Sequence, residues 1–163
     1  MLSLSKLATS IALFWRADAS GTGAFFQSKT VIIPHDDKLH RGGEDSADSS
    51  DQVLAVADGV GGWANKGINP GLFSAKLTRS LIDRSIEDPS LDARQLLIEG
   101  CNIAGKEFQG SATIVTLKLA EDMTIKAANL GDSGYALFHV RPNDTLEMYF
   151  RSPTQQKTHN FPF

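Results

Sequence analysis

The sequence predicts an α+β domain in which two helices pack on a mainly antiparallel sheet, and three observations carry that expectation. Residues Val53 to Ala57 form an unbroken apolar run that ends in Asp58 and a cluster of glycines. That is the pattern of a strand buried on both faces that stops in a tight turn. Between Phe73 and Phe108 the apolar residues recur at every third or fourth position, the period of a helix. From Ala112 to Phe150, apolar segments are joined by short polar turns. Parallel crossovers need about a dozen residues, so such neighbours are antiparallel.

Taken in order, Met1 to Ser20 contains Lys6 and Arg16 and no acid before Asp18. Its apolar run, Leu7 to Trp15, is shorter than the roughly 20 residues that span a bilayer, so no transmembrane segment is expected. Residues 1–22 read as an N-terminal extension, irregular or helical, and the domain as 23–163. The basic, hydroxyl-rich composition of the extension also suits a mitochondrial presequence, with a cytoplasmic location as the alternative. Arg16, just ahead of Ala17-Asp18-Ala19, disfavours a secretory signal. Phe25 to Ile33 is a first strand ended by Pro34, followed by a polar loop through Asp51 in which Asp36, Asp37, Asp48 and Asp51 are solvated. After a turn over Ala64 to Pro70, Phe73, Leu77, Leu81, Ile82 and Ile86 lie on one helical face. Pro89-Ser90 ends that helix. A second is expected from about Leu91, capped by Ser90, with Ala93, Leu97, Cys101, Ala104 and Phe108 on one side. Ala112 to Leu119, Met123 to Leu130, Tyr135 to Val140 and Leu146 to Phe150 then form a meander of four strands.

Composition narrows the function. With 41% hydrophobic residues in 163, the chain can bury a core. A net charge of -3 without a Lys/Arg cluster argues against nucleic acid as the main partner. Cys101 is the only cysteine, so no internal disulfide forms, which fits a reducing compartment. On its helical stripe it reads as a small buried apolar residue and not as a nucleophile. A monomer is expected.

The chemistry-bearing residues sit on loop tips. Asp58, at a strand mouth beside glycine backbone, suits a hard divalent cation. Asp132 occupies a similar strand-to-turn tip in Thr124 to Gly134, and Glu44-Asp45 lies just before the strand of Asp58. In order and wording, five stretches resemble the metal-dependent PPM-type (type 2C) protein serine/threonine phosphatases. They are Arg41 to Ser46, Asp58 to Trp63, Gly110 to Thr113, Ala128 to Gly134 and Arg151 to Gln156. The likeness is to a branch that includes a mitochondrial phosphatase, and it covers Val31 to Phe163. Five motifs in sequence are specific where one alone is weak.

The resemblance implies a β-sandwich flanked by antiparallel helix pairs. This chain would be the N-terminal part of it, incomplete at its C-terminus. It implies two Mg2+ or Mn2+ ions, and a third in some members. Asp58 would be the catalytic carboxylate bridging the ions, the Gly59 carbonyl would bind one of them, Glu44 and Asp45 would match the acidic pair, and Asp132 would match an aspartate of the third site. Arg41 lies closer to the acidic pair than the family's phosphate-binding arginine does. Asn129 either scaffolds its turn or orients the loop, and Trp63 and Phe73 are expected in the core.

A cation pair answers the two obstacles to phosphate ester hydrolysis, a weakly nucleophilic water and a phosphoryl group that repels it. No serine lies on a GxSxG elbow, and Cys101 has no CxxxxxR setting, so no covalent intermediate is indicated. Two departures bear on activity. Val60 stands where many members carry a histidine thought to protonate the leaving group. Further aspartate ligands belong to a part of the domain not found in this chain, so weak metal binding and little or no turnover are expected of these 163 residues. Three classes stay open: a phosphatase acting on phosphoserine and phosphothreonine in phosphoproteins, which leads; a catalytically dead phosphatase-like binding or regulatory module; and a metal-dependent hydrolase of another kind.

Overall fold

The computed structural model describes residues 10–17, 24–158 and 161–162. Ser10–Ala17 (β1) pairs antiparallel with Ala24–Val31 (β2), from Ser10 opposite Val31 to Ala17 opposite Ala24. Part of the expected irregular or helical extension, Ser10–Ala17, is therefore a strand. Strand formation depends on the partner more than on local preference, so the composition of this segment did not reveal it. Residues 1–9 and 18–22, the rest of the candidate targeting segment, lie outside the described residues, as does Gly23.

The central sheet has the order β3-β4-β5-β6, with Asp45–Ser49 (β3), Val53–Gly59 (β4), Ala112–Leu119 (β5) and Ile125–Leu130 (β6), all neighbours antiparallel. β3 lies inside the expected polar loop. Its sequence, Asp-Ser-Ala-Asp-Ser, has no apolar alternation, and pairing with β4 alone makes it a strand. The expected meander is also divided. Ala136–Val140 (β7) and Leu146–Arg151 (β8) form a separate two-stranded sheet, because the chain turns away from β6 at Gly131, whose φ is +96°. A third pair joins Gln156–Thr158 (β9) and Phe161–Pro162 (β10).

Both helices start where their first residues satisfy free backbone donors. Pro70–Glu87 (α1) has Asn69 as its cap, accepting from the Gly71 N–H, with proline in the first turn. Ala93–Glu107 (α2) is capped by Asp92 in a reciprocal box with Gln95. Ser90, the expected cap, bonds instead to the Asp88 carboxylate. Both residues are competent caps, and the glutamine three positions after Asp92 decides between them. Replacing Asp92 by alanine should cost about 1 kcal/mol of stability, read as a lowered urea midpoint at constant slope.

The helices cover one face of the sheet. Val53, Ala55, Ala57 and Ile114 from the strands meet Phe73, Leu77, Leu81, Ile82, Leu96 and Ala104. Leu96 is fully buried while Leu97 and Cys101 are only partly so, which rotates the stripe of α2 slightly from the expected one. Gly100 permits this close approach, since a Cβ there would lie 3.0 Å from the Leu81 side chain. On the other face, Leu54, Val115, Leu117 and Leu119 pack with Phe26. β4 is thus buried on both sides, as its apolar run predicts. Lys118, buried in β5, donates its ammonium to the carbonyls of Pro89 and Leu91 and holds the interhelical loop against the sheet. Among the described residues no helix is long and apolar enough to cross a membrane.

Candidate active site

The register of the central sheet aligns the polar ends of three strands. Asp45 stands opposite Asp58, and Asp58 opposite Thr113. Directly opposed residues share a face. Theirs is the face away from the helices, because Ala57 belongs to the helix-side core and Leu54 to the other. There a cavity of about 290 Å³ is lined by Asp45, Val56, Ala57, Asp58, Asp132, Ser133 and Gly134. Three of the predicted site carboxylates, distant in sequence, meet in it.

Crowding shows in the acidity of Asp58. Its carboxyl group is pushed up to about 7, first by burial and then by the charge of Asp45 and a hydrogen bond with it; Asp132 adds to the rise and Lys38 opposes it. An acid cluster of this kind is destabilised as it stands, and a cation relieves it.

Two predicted ligands are placed differently. Glu44 does not line the cavity: its buried carboxylate is ion-paired with Lys38. Glu44 lies in the bend just before β3, whereas Asp45 opens the strand and faces the cavity. The Glu44 backbone carbonyl instead accepts the Gly59 N–H at 3.1 Å. Gly59 adjoins the cavity without lining it. Its visible role is close packing, since a Cβ there would lie 2.6 Å from the Glu44 carbonyl oxygen and 2.8 Å from Ser74 Oγ. The side chain of Arg41 lies outside the described residues.

Phe73 is in the core as expected. Trp63 is half-buried: its indole N–H donates to Ser111 Oγ at 2.8 Å, and the Lys66 ammonium sits 4.8 Å from its ring centre. Sequence reasoning missed Lys38, the Thr113–Ser133 hydroxyl contact and the part played by Ser152 and Gln155. Of these, Thr113, Ser133, Ser152 and Gln155 carried a signal, as members of the motifs without an assigned role, and Lys38 carried none.

The donor set is all oxygen, which suits Mg2+ or Mn2+ over softer metals. Among the described residues no three His, Cys, Asp or Glu side chains close into ligand geometry, so an ion here would take much of its coordination from water or further ligands. Asn129 lies on the same sheet face, in line with Val115 and Val56, and its amide N and O are buried without a hydrogen-bond partner among the described residues. Ordered water satisfies groups of that kind.

No protein-family model matches the chain. It is 39% identical over 140 residues to the probable protein phosphatase 2C 55 of Arabidopsis thaliana, covering 83% of this chain and 28% of that protein. It is 37% identical over 107 residues to the protein phosphatase PTC7 homolog fig of Drosophila mojavensis, covering 59% of this chain and 34% of that one. Its fold is similar to the X-ray structure of the photosystem II phosphatase PBCP, with a TM-score of 0.64 and 28% identity over 95% of this chain and 53% of that chain. The chain thus spans about a third of these curated relatives and about half of the solved structure. Fold and acidic cavity together define a segment of a phosphatase domain. The chain belongs to the PPM-type (type 2C) protein serine/threonine phosphatase family.

Proposed function

We propose that this chain supplies the acidic part of the metal centre of a protein serine/threonine phosphatase that hydrolyses phosphoserine and phosphothreonine monoesters in phosphoproteins. The observation that supports this most is the meeting of Asp45, Asp58 and Asp132 in one cavity of a phosphatase fold. In this reading Asp58, Asp45 and Asp132 would hold Mg2+ or Mn2+, with the neighbouring Gly59 carbonyl as a further oxygen. Glu44 contributes through its carbonyl, which ties the turn of Gly59 to the start of β3. Bound divalent cations would lower the pKa of a water molecule and offset negative charge on the phosphoryl group. Asp58 would hold the cations in its ionised form. Val60 has no proton to give, so another acid, or water, would have to protonate the leaving alkoxide.

Titration of the 163-residue chain with Mn2+, followed by electron paramagnetic resonance, is expected to show saturable binding that weakens when Asp45 or Asp132 is replaced by asparagine. Hydrolysis of p-nitrophenyl phosphate by the chain alone is expected to be weak or absent. Saturable capture of a phosphothreonine peptide without turnover, in protein extended to the length of its relatives, would favour the binding-module reading. Binding of Mn2+ no better than to an unrelated acidic protein would overturn the assignment.

A mitochondrial location rests on the composition of Met1 to Ser20. Because β1 occupies Ser10–Ala17, we assign any targeting signal to the residues before it. Import of a reporter fused to residues 1–9, and its loss on replacing Lys6, is the test.

A further inference from the structure

Asp132 sits in a Gly-Asp-Ser-Gly turn between Gly131 and Ser133, and the one side-chain tie from within the turn among the described residues is the Ser133 hydroxyl against that of Thr113. The segment after β8 ties down the two ends of the turn. β6 is an edge strand of the central sheet, and residues 129 and 131, two apart, carry their backbone groups on one side. Gln155 meets both: its Nε2 donates to the Asn129 carbonyl at 3.1 Å, and its Oε1 accepts the Gly131 N–H at 3.4 Å. One side-chain amide thus stands in for a peptide group of a neighbouring strand. On the far side of the turn, the Tyr135 N–H donates to Ser152 Oγ and the Ser152 N–H to the Tyr135 carbonyl, both at 2.9 Å. Ser152 is buried, and Gly134 leaves it room, since a Cβ there would lie 2.8 Å from Ser152 Oγ.

We propose that Gln155 and Ser152 are positioning residues that clamp the two stems of the turn and hold the Asp132 carboxylate in the acidic cavity. The clamp rests on the reading of that cavity as a cation site and deepens it. A ligand on a glycine-flanked turn loses affinity when its supporting hydrogen bonds go, because the orientation must then be fixed at the moment of binding. Neither residue lines the cavity; both act through Asp132.

The test pairs two readouts on the full chain. Gln155→Ala and Gln155→Met, the second keeping the bulk without the hydrogen bonds, should each weaken Mn2+ binding about tenfold. In an Asp132→Asn background Gln155→Ala should cause no further loss. Amide hydrogen exchange should quicken at Gly131 in the Gln155 variants and at Tyr135 in Ser152→Ala, while β4 and β5 amides stay protected. Unchanged exchange at Gly131, or an added loss of Mn2+ binding in the double variant, overturns the proposal. So does parent-like Mn2+ affinity in Gln155→Ala where Asp132→Asn is impaired, and the cation site then stands. If Asp58→Asn binds Mn2+ as the parent does, the cation reading itself fails, and the positioning role with it.

Discussion

Asp58→Asn is expected to abolish saturable Mn2+ binding and, in the presence of a chelator, to make the protein more stable at pH 8 than its parent. The two effects have one cause. In the folded, metal-free protein the Asp58 carboxyl group is held at about 7, against 3.8 for an unperturbed aspartate, chiefly by burial and by Asp45. A carboxyl group raised in the folded state stabilises the fold fully only below pH 3.8, where it is protonated in both states. That contribution is lost as pH rises through 7, because the unfolded chain ionises freely and the folded chain does so against burial and a like charge. At about 1.4 kcal/mol per pH unit, discounted by half for the reach of solvent, the penalty at pH 8 is on the order of 2 kcal/mol. Asparagine keeps the shape and carries no charge, so the variant should lose the pH dependence of this step. Thermal melts with EDTA at pH 4 and pH 8, and again with Mn2+ at pH 8, provide the measurement. The variant should melt higher at pH 8 with EDTA, and Mn2+ should stabilise only the parent. A variant destabilised at pH 8 without metal would show that Asp58 is a structural residue. Stability given up for a site in this way is the usual mark of function.

The second large effect is expected at Gly59. Gly59→Ala would bring a methyl group to 2.6 Å from the Glu44 carbonyl oxygen and 2.8 Å from Ser74 Oγ. The nearer of these is backbone, so β3 or the start of α1 has to move. Overpacking of this kind costs about 1–3 kcal/mol, which urea denaturation at constant slope would read. Movement of β3 also shifts Asp45 relative to Asp58, so Mn2+ affinity should fall as well. Gly62, in the same glycine cluster, is the control. A Cβ there meets nothing within 4 Å, and Gly62→Ala should change stability by less than about 0.5 kcal/mol. Equal losses at the two positions would mean that the cluster serves turn conformation and not close packing.

Gly59 and Gly62 also show where sequence reasoning stops. Both belong to the motif that drew attention to Asp58, and both read as freedom for a turn. Only the approach of the Glu44 carbonyl and α1 separates them. β3 teaches the same lesson: its residues carry no strand pattern, yet pairing with β4 places Asp45 opposite Asp58. Glu44 is the converse case. Adjacent acids looked like one pair of ligands, but the first sits in the bend before β3, paired with Lys38, and the second opens β3 and lines the cavity. Where the pattern was strong, the reading largely held: β5 runs from Ala112 to Leu119, and α1 buries Phe73, Leu77, Leu81 and Ile82 of the predicted face, while Ile86, in its last turn, is exposed.

By itself, then, the sequence determined the elements whose burial is written in their own residues: the doubly buried β4, the two amphipathic helices and the acids on strand-end tips. Those follow from local periodicity, because a residue's burial there depends on its spacing from its neighbours in the chain. Tertiary structure alone decided which acids meet, which glycine is irreplaceable and what holds the Asp132 turn. Each of these depends on a contact between residues far apart in sequence, and such contacts exist only once the register of the sheet is set.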